Sequence, residues 1–171
     1  MSGTHRIRLR RILREAEGYL ELGMANHALG TLDRAREPGT FASQVLYLRG
    51  EALRELECYA EAIDPLARSA ELAPSNTHIQ LALGWCYKRT GRLDMAIDAL
   101  EHARDVEPTN ALIQYNLACY WSLAGNRTKA VGYLTRAVAI DARYRELAGD
   151  ESDFDPIRSD PEFQALTSLI A

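Results

Sequence analysis

Histidine and cysteine, the residue types that most often carry out chemistry in proteins, are dispersed along this 171-residue chain. The four histidines are far apart in the sequence, at His5, His27, His78 and His102. The three cysteines form no close-spaced pair: Cys58, Cys86 and Cys119. A structural metal site requires several such ligands at short, defined spacings. The sequence therefore predicts no metal site, and isolated thiols are typical of a reducing compartment such as the cytoplasm.

Motifs for catalysis or cofactor binding are also missing from the sequence. It contains no glycine-rich phosphate-binding loop, no nucleophile elbow and no zinc-protease helix. The 24 aspartates and glutamates are plentiful, but charged residues of this kind usually lie on solvated helix faces. Because no group of residues stands out that could act together on a substrate, we expect no enzymatic activity and no cofactor.

The elements that position the side chains follow a strict internal period of 34 residues. Alanine recurs at this spacing, at Ala28, Ala62, Ala96 and Ala130. Leucine keeps the same step, at Leu32, Leu66, Leu100 and Leu134. A fixed period of this length indicates a stacked repeat array, for which about three repeats are the minimum. The register gives four repeats without insertions, at residues 9–42, 43–76, 77–110 and 111–144.

Two further columns of the repeat contain only small residues. The first column consists of Ala16, Gly50, Gly84 and Ala118. The second consists of Ala35, Ser69, Ala103 and Ala137. We expect these positions where two helices approach closely, because a larger side chain there overpacks the contact at a cost of about 1–3 kcal/mol.

Each repeat has the pattern of two helices joined by a tight turn. In the third repeat, apolar residues at helical spacing are interrupted by Gly91 and end at Pro108, which are typical turn and stop signals. Asn76 and Asn110 stand where the next helix begins and are predicted N-caps. Glu57 replaces the turn glycine in the second repeat. The sequence therefore predicts an all-α chain.

The repeat pattern resembles that of the tetratricopeptide repeat (TPR) family. The matching residues in the third repeat are Leu83, Gly84, Tyr87, Gly91, Ala96, Leu100, Ala103 and Pro108. The resemblance extends over residues 9–144, which are 136 of the 171 residues. It implies a right-handed α-solenoid of four helix hairpins, and a non-catalytic adaptor or scaffold that binds another protein or peptide.

The resemblance also assigns candidate ligand-binding residues, because the first helices of TPR hairpins line a concave groove. The positions that correspond to exposed groove positions include Tyr47, Glu51, Arg54, Glu55, His78, Trp85, Lys88, Arg89, Tyr115 and Asn116. Glutamates make an acidic strip in the first two repeats, and His78, Lys88 and Arg89 make a basic strip in the third. We expect an extended or helical peptide, with its basic end over the acidic strip and an acidic or aromatic end over the basic strip.

Two of these assignments have alternatives. Trp85 is the sharpest candidate for a buried anchor, but a large aromatic of this kind also packs readily against a neighbouring helix. Glu51 and Arg54 are three residues apart on one helix and can simply pair with each other.

One TPR specialisation, the grip on the C-terminal carboxylate of chaperones, is disfavoured. Proteins of that group resemble one another in a lysine and an asparagine at the fifth and ninth positions of one repeat. Here those positions are occupied by Leu13 and Glu17 in the first repeat and by the pairs Tyr47 and Glu51, Leu81 and Trp85, and Tyr115 and Cys119 in the others. None of the pairs fits the pattern.

The ends of the chain carry opposite charges. Residues 1–8 are predicted to form a basic arm or a leading helical turn, followed by further arginines. A basic helix can bind nucleic acid or an anionic membrane, but the net charge of −4 disfavours both. Residues 145–171 form an acidic tail with a predicted capping helix at about 161–170. Asp160 is its N-cap, and its apolar face consists of Phe163, Leu166 and Ile170.

Two further functions stay open beside the adaptor. The basic head and acidic tail could stack copies head to tail into a scaffold, although the capping helix argues for a monomer with at most weak self-association. A secretion chaperone is the other alternative, because bacterial type III translocator chaperones are also small, acidic TPR proteins. The tail sequence around Phe154 is similar to segments that follow bacterial TPR arrays, which favours a bacterial origin.

Overall fold

The computed structural model describes residues 3–168, and every regular element in this range is helical. The predicted all-α fold class is therefore confirmed. The chain divides into two compact bodies, residues 1–91 and 92–171, which we call the N-terminal body and the C-terminal body. No helix in the described range is both long enough and apolar enough to cross a membrane.

The N-terminal body contains five α-helices and one short 3-10 turn. The helices are α1 (Gly3–Glu21), α2 (Ala25–Leu32), α3 (Ala42–Glu55), α4 (Tyr59–Leu72) and α5 (Thr77–Arg89), with the 3-10 turn at Gly39–Phe41. Helix α3 packs against all four other helices of this body, α1, α2, α4 and α5. Because α1 and α5 both contact α3, these three helices form one layer.

The C-terminal body contains the remaining described helices. They are α6 (Leu93–Val106), α7 (Ala111–Leu123), α8 (Arg127–Ile140), α9 (Arg143–Asp150) and α10 (Pro161–Thr167), with a 3-10 segment at Ser152–Ile157. Helix α7 packs against α6 on one side and α8 on another. The 3-10 segment after α9 also packs directly against α7, so the tail of the chain covers this helix.

The repeated small residues lie in the core, as their spacing predicts. Ala28 and Ala62 are fully buried in the N-terminal body, and Ala96 and Ala130 in the C-terminal body. Ser69 is the polar exception in the second small column. Its hydroxyl donates to the carbonyl oxygen of Ser43 at 2.8 Å, which satisfies the polar group where alanine stands in the neighbouring repeats.

The predicted helix caps are confirmed by their hydrogen bonds. The Asn76 side chain accepts from the backbone N–H of His78 at 3.1 Å. Asn110 accepts from the N–H of Leu112 at 3.1 Å. Asp160 accepts from the backbone N–H of Glu162 at 2.9 Å and begins α10.

Three boundaries differ from the sequence prediction or add to it. Helix α1 begins at Gly3, so residues 3–8 are helical. Helix α2 ends at Leu32, which leaves Ala35 of the second small column outside any helix. Pro38 disfavours helical backbone only from residue 37 onwards. Helix α9 is not predicted by the repeat pattern. Ile170, assigned to the face of the capping helix, lies outside the described residues.

The turn at Glu57 carries backbone strain. Its φ of +59° matches the left-handed glycines at the other turns, Gly23 at +68°, Gly91 at +75° and Gly125 at +73°. A residue with a Cβ atom in this region costs about 1–2 kcal/mol, whereas glycine adopts it freely. We expect Glu57→Gly to raise the free energy of unfolding by about 0.5–1 kcal/mol, after the greater chain entropy of glycine is subtracted.

Urea denaturation compares Glu57→Gly with Glu57→Ala, which removes the charge but keeps the Cβ atom. The alanine variant is expected to stay near the wild type. Equal stabilisation in both variants would attribute the effect to the carboxylate rather than to the backbone.

Candidate functional site

The layer formed by α1, α3 and α5 contains an open cleft in the N-terminal body. The cleft has a volume of about 370 Å³ and is lined by Glu17, Thr40, Ser43, Gln44, Tyr47, Asn76 and Ile79. The Gln44 side chain donates from Nε2 to Glu17 Oε1 at 2.9 Å, which links α1 to α3. The lining combines a carboxylate, amides and hydroxyls with one aromatic ring, a surface suited to the polar backbone and side chains of a peptide.

Glu51 and Arg54 form a two-point ion pair on α3. Arg54 donates from Nε to Glu51 Oε1 at 3.0 Å and from Nη2 to Oε2 at 2.7 Å. The pairing that the sequence left open as an alternative is therefore present. Glu51 is partly neutralised, so Glu55, which is exposed one helical turn farther on, carries the free negative charge at this end of α3.

Two titratable groups beside this pair have raised pKa values. Burial is the main cause for Tyr47, and the Glu51 carboxylate raises its pKa further. Burial raises the pKa of the Cys86 thiol to about 11, partly offset by Arg54. Cys86 is therefore a neutral thiol at physiological pH and has no nucleophilic character. Tyr47, Arg54 and Cys86 thus form a half-buried cluster around the Glu51 carboxylate.

Trp85 and Lys88 form a joint surface on α5. The indole of Trp85 is 37% exposed, and the Lys88 Nζ lies 5.4 Å from its ring centroid. Trp85 is therefore neither fully packed nor fully solvated. An aromatic ring in this state can bury more of its surface when a ligand binds, which is the property of interface anchors.

The three basic residues predicted to form one strip are separated in the structure. Arg89 turns its guanidinium towards the ring of Tyr59, at 4.8 Å from the centroid, at the beginning of α4. His78 is exposed near the opposite end of α5 from Lys88. Ten residues of helix span about 15 Å, so His78 and Lys88 cannot act as one charge cluster.

In the C-terminal body, the position expected to continue the groove is occupied by the chain itself. Tyr115 is 8% exposed. Its ring lies 4.7 Å from that of Tyr144 and 5.8 Å from that of Phe154, measured between centroids. Burial is the main cause that raises the pKa of Tyr115 far above its usual value. The assignment of Tyr115 as an exposed ligand contact is thus corrected: the phenol is an interior side chain, and the adjacent Asn116 is half-buried.

The segment that covers Tyr115 is held by both apolar and polar contacts. Phe154 is fully buried and lies 5.3 Å from Phe163 between ring centroids. Asp160 accepts from Arg127 at the start of α8 at 2.8 Å. The backbone N–H of Phe163 holds the pKa of Asp160 below its usual value, and the Arg127 charge adds to this effect. The burial of Phe154 against Tyr115 and the Arg127–Asp160 ion pair thus hold the tail on the body.

Sequence reasoning missed the residues that close this surface and several that line the open cleft. Thr40 and Ser43 lie just before and within the start of α3, where the cleft ends. Phe154 stands between Asp153 and Asp155, and this contrast is the signal that could have marked it as buried. In the described range, no group of three or more histidines, cysteines, aspartates or glutamates could hold a metal ion.

Comparison with known proteins supports the repeat reading of the chain. The sequence model of the tetratricopeptide repeat matches residues 53–119. No curated protein matches this sequence. Among solved structures, the crystal structure of MamA is 24% identical, with a TM-score of 0.73 and coverage of 79% of each chain. A double mutant of MamA from RS-1 is 21% identical, with a TM-score of 0.77 and coverage of 93% of this chain and 88% of that one.

A second kind of solved structure is described by what it binds. YrrB, a TPR protein with an unusual peptide-binding site, is 26% identical, with a TM-score of 0.68. The alignment covers 74% of this chain and 66% of YrrB. Together, these similarities confirm the predicted fold class of TPR helix hairpins.

Proposed function

We propose that this chain, whose residues 53–119 match the tetratricopeptide repeat, is a non-catalytic adaptor. It would bind a peptide or helical segment of another protein on the α1, α3 and α5 face of its N-terminal body. Stacked helical repeats create extended concave surfaces on which other proteins bind. The similar structure YrrB has a peptide-binding site, which supports a peptide as the ligand of this chain.

One observation carries the proposal: the two faces that the repeat pattern makes equivalent differ in accessibility. The N-terminal face keeps an open cleft beside Tyr47 and a partly exposed Trp85. The corresponding position on α7, Tyr115, is buried under Tyr144 and Phe154 of the same chain. A ligand therefore has a free surface on the N-terminal body and meets the protein's own tail on α7.

The charges of this face favour a ligand with separated ends. Glu17 and Glu55 offer carboxylates that a basic side chain of the ligand can approach, whereas Glu51 already accepts two hydrogen bonds from Arg54. Lys88 and Trp85 offer a cation and an aromatic face at the end of α5. We therefore propose that the basic end of the ligand lies over α1 and α3 and its acidic or aromatic end over α5. Lys88 is the cation of the protein that would meet an acidic end.

Trp85→Ala is expected to weaken binding of a peptide selected from a random library against the wild-type protein by at least about tenfold, because interface aromatics dominate binding energy. Isothermal titration calorimetry measures the loss. Met95→Ala on α6 is the matched control, since Met95 is an apolar side chain that is 45% exposed and lies outside the face. Unchanged affinity in the Trp85 variant would contradict the proposed face.

Lys88→Glu tests the orientation separately from the site. A peptide whose acidic end lies over α5 should bind the variant more weakly than the wild type. A peptide in which that end is made basic should bind the variant with restored affinity. Cys58, Cys86 and Cys119 form no disulfide, which fits our further proposal that the protein acts in a reducing compartment such as the cytoplasm.

A further inference from the structure

Helix α1 presents a basic outer face that the proposed peptide site does not use. Its five arginines are all exposed: Arg6, Arg8, Arg10, Arg11 and Arg14. Within residues 3–14 there is no carboxylate. Of these arginines, Arg11 and Arg14 make no ion pair with any residue in the described range, whereas Arg10 lies over the ring of Phe41. The charge of this face is therefore not neutralised inside the molecule.

An exposed apolar side chain lies in the middle of this basic face. Ile7 is 70% exposed. Residues four and three apart share one side of a helix, so Ile7, Arg11 and Arg14 form a continuous row. We call this row the α1 face. A partner that covers this row would remove the Ile7 side chain from water.

Helix α9 presents the complementary surface on the C-terminal body. Leu147 is 54% exposed, and the exposed carboxylates of Glu146 and Asp150 flank it on the same side of the helix. We call these three residues the α9 face. A cleft of about 420 Å³ lies beside Leu147 and is also lined by Tyr144. Asp141 and Arg143 at its edge pair with each other at 2.7 Å, so the remaining charge is that of the two carboxylates.

We propose that the α1 face of one copy of this chain binds the α9 face of a second copy. Arg11 and Arg14 would approach Glu146 and Asp150, while Ile7 would enter the cleft beside Leu147. Opposite charges steer the encounter and fix the register, and the two apolar side chains leave water together. Since each copy carries both faces, the contact is heterologous, and it produces chains of molecules or a closed ring.

The position of the capping helix is compatible with this contact. At the sequence level, a capping helix argues against stacking because it would close the end of the array. Phe163 of α10 instead packs on Phe154, and Leu147 stays exposed. The cap thus covers the core around Tyr115 and leaves the α9 face available to a partner.

Sedimentation velocity of the full chain between about 0.01 M and 1 M NaCl tests the proposal. Over this range the screening length falls from roughly 30 Å to roughly 3 Å. We expect association at low salt that is lost at high salt. Two charge-reversed variants, Arg11→Glu with Arg14→Glu and Glu146→Lys with Asp150→Lys, should each lower the association constant by at least about tenfold.

The equimolar mixture of the two charge-reversed variants tests whether the α1 face and the α9 face contact each other. Its reversed faces attract each other again, so association should return in the mixture although each variant alone associates at least about tenfold more weakly than the wild type. Arg36→Glu with Arg92→Glu is the control, because both arginines are exposed and lie off the α1 face. A wild-type protein that is monomeric at low salt overturns the proposal. The basic α1 face would then serve another ligand, such as a nucleic acid or an anionic membrane. Association that persists in both reversed variants also overturns it.

Discussion

Replacing Phe154 by alanine is expected to lower the free energy of unfolding of the C-terminal body by about 3–5 kcal/mol. The side chain is fully buried and joins two aromatic neighbours, with ring centroids 5.8 Å from Tyr115 and 5.3 Å from Phe163. Its removal leaves a cavity at the point where the 3-10 segment meets α7, and the tail loses its central contact.

The control for this prediction is Phe154→Leu, which retains most of the apolar volume and should cost clearly less. Urea denaturation gives the free energies, and spectroscopic titration follows the tyrosines. Because burial is what raises the pKa of Tyr115, a loosened tail should shift that pKa down towards its usual value. If Phe154→Ala proved as stable as the wild type, the tail would not be an integral part of the fold.

Gly50→Ala is expected to destabilise the N-terminal body by about 1–3 kcal/mol, although alanine is a better helix former than glycine. A Cβ atom at this position would lie 2.5 Å from Cδ2 of Leu66. Leu66 is fully buried, so its side chain cannot move away without displacing other core residues. The same column contains alanine at Ala16 and Ala118, which shows that the exclusion belongs to this repeat and not to the fold.

Gly30→Ala in α2 is the matched control for that substitution. No heavy atom lies within 4 Å of the position that its Cβ atom would occupy, and we expect stabilisation by about 0.5–1 kcal/mol from the lower chain entropy. The double variant Gly50→Ala with Leu66→Ala should be less unstable than the sum of its parts, because the second change removes the clash. Strict additivity would exclude Leu66 as the cause.

The helical pattern could be predicted from the sequence because it depends on local chemistry. Asn76 and Asp160 cap helices through hydrogen bonds to residues two positions later, and such contacts follow from neighbouring residues alone. The burial of the alanines could be predicted equally well, because alanine recurs at the same position of all four 34-residue repeats. Helix α9 lies beyond the last repeat, where no period remains to guide a prediction.

The candidate site was predicted less completely, because exposure depends on what other segments cover. Repeat positions identified Tyr47 and Tyr115, at the fifth position of their repeats, and Trp85, at the ninth position of its repeat, as groove residues. Trp85 does lie at the surface, but Tyr115 is buried by a segment almost forty residues farther along the chain. The direction of a long charged side chain is just as dependent on its neighbours, and Arg89 stacks on Tyr59 of another helix rather than extending the surface of Lys88.

By itself, the sequence determined the helices, their turns and the positions where they pack closely, together with the lack of a catalytic or metal-binding motif. These properties depend on residue type and spacing over fewer than 34 positions. Only the tertiary structure decided which equivalent positions a ligand can reach: the cleft beside Tyr47 is open, and the surface at Tyr115 is closed. The physical reason is that accessibility is a property of all the atoms around a residue. Tyr115 is buried by Tyr144 at the end of the last repeat and by Phe154 of the non-repeated tail, whose docking no repeat position specifies.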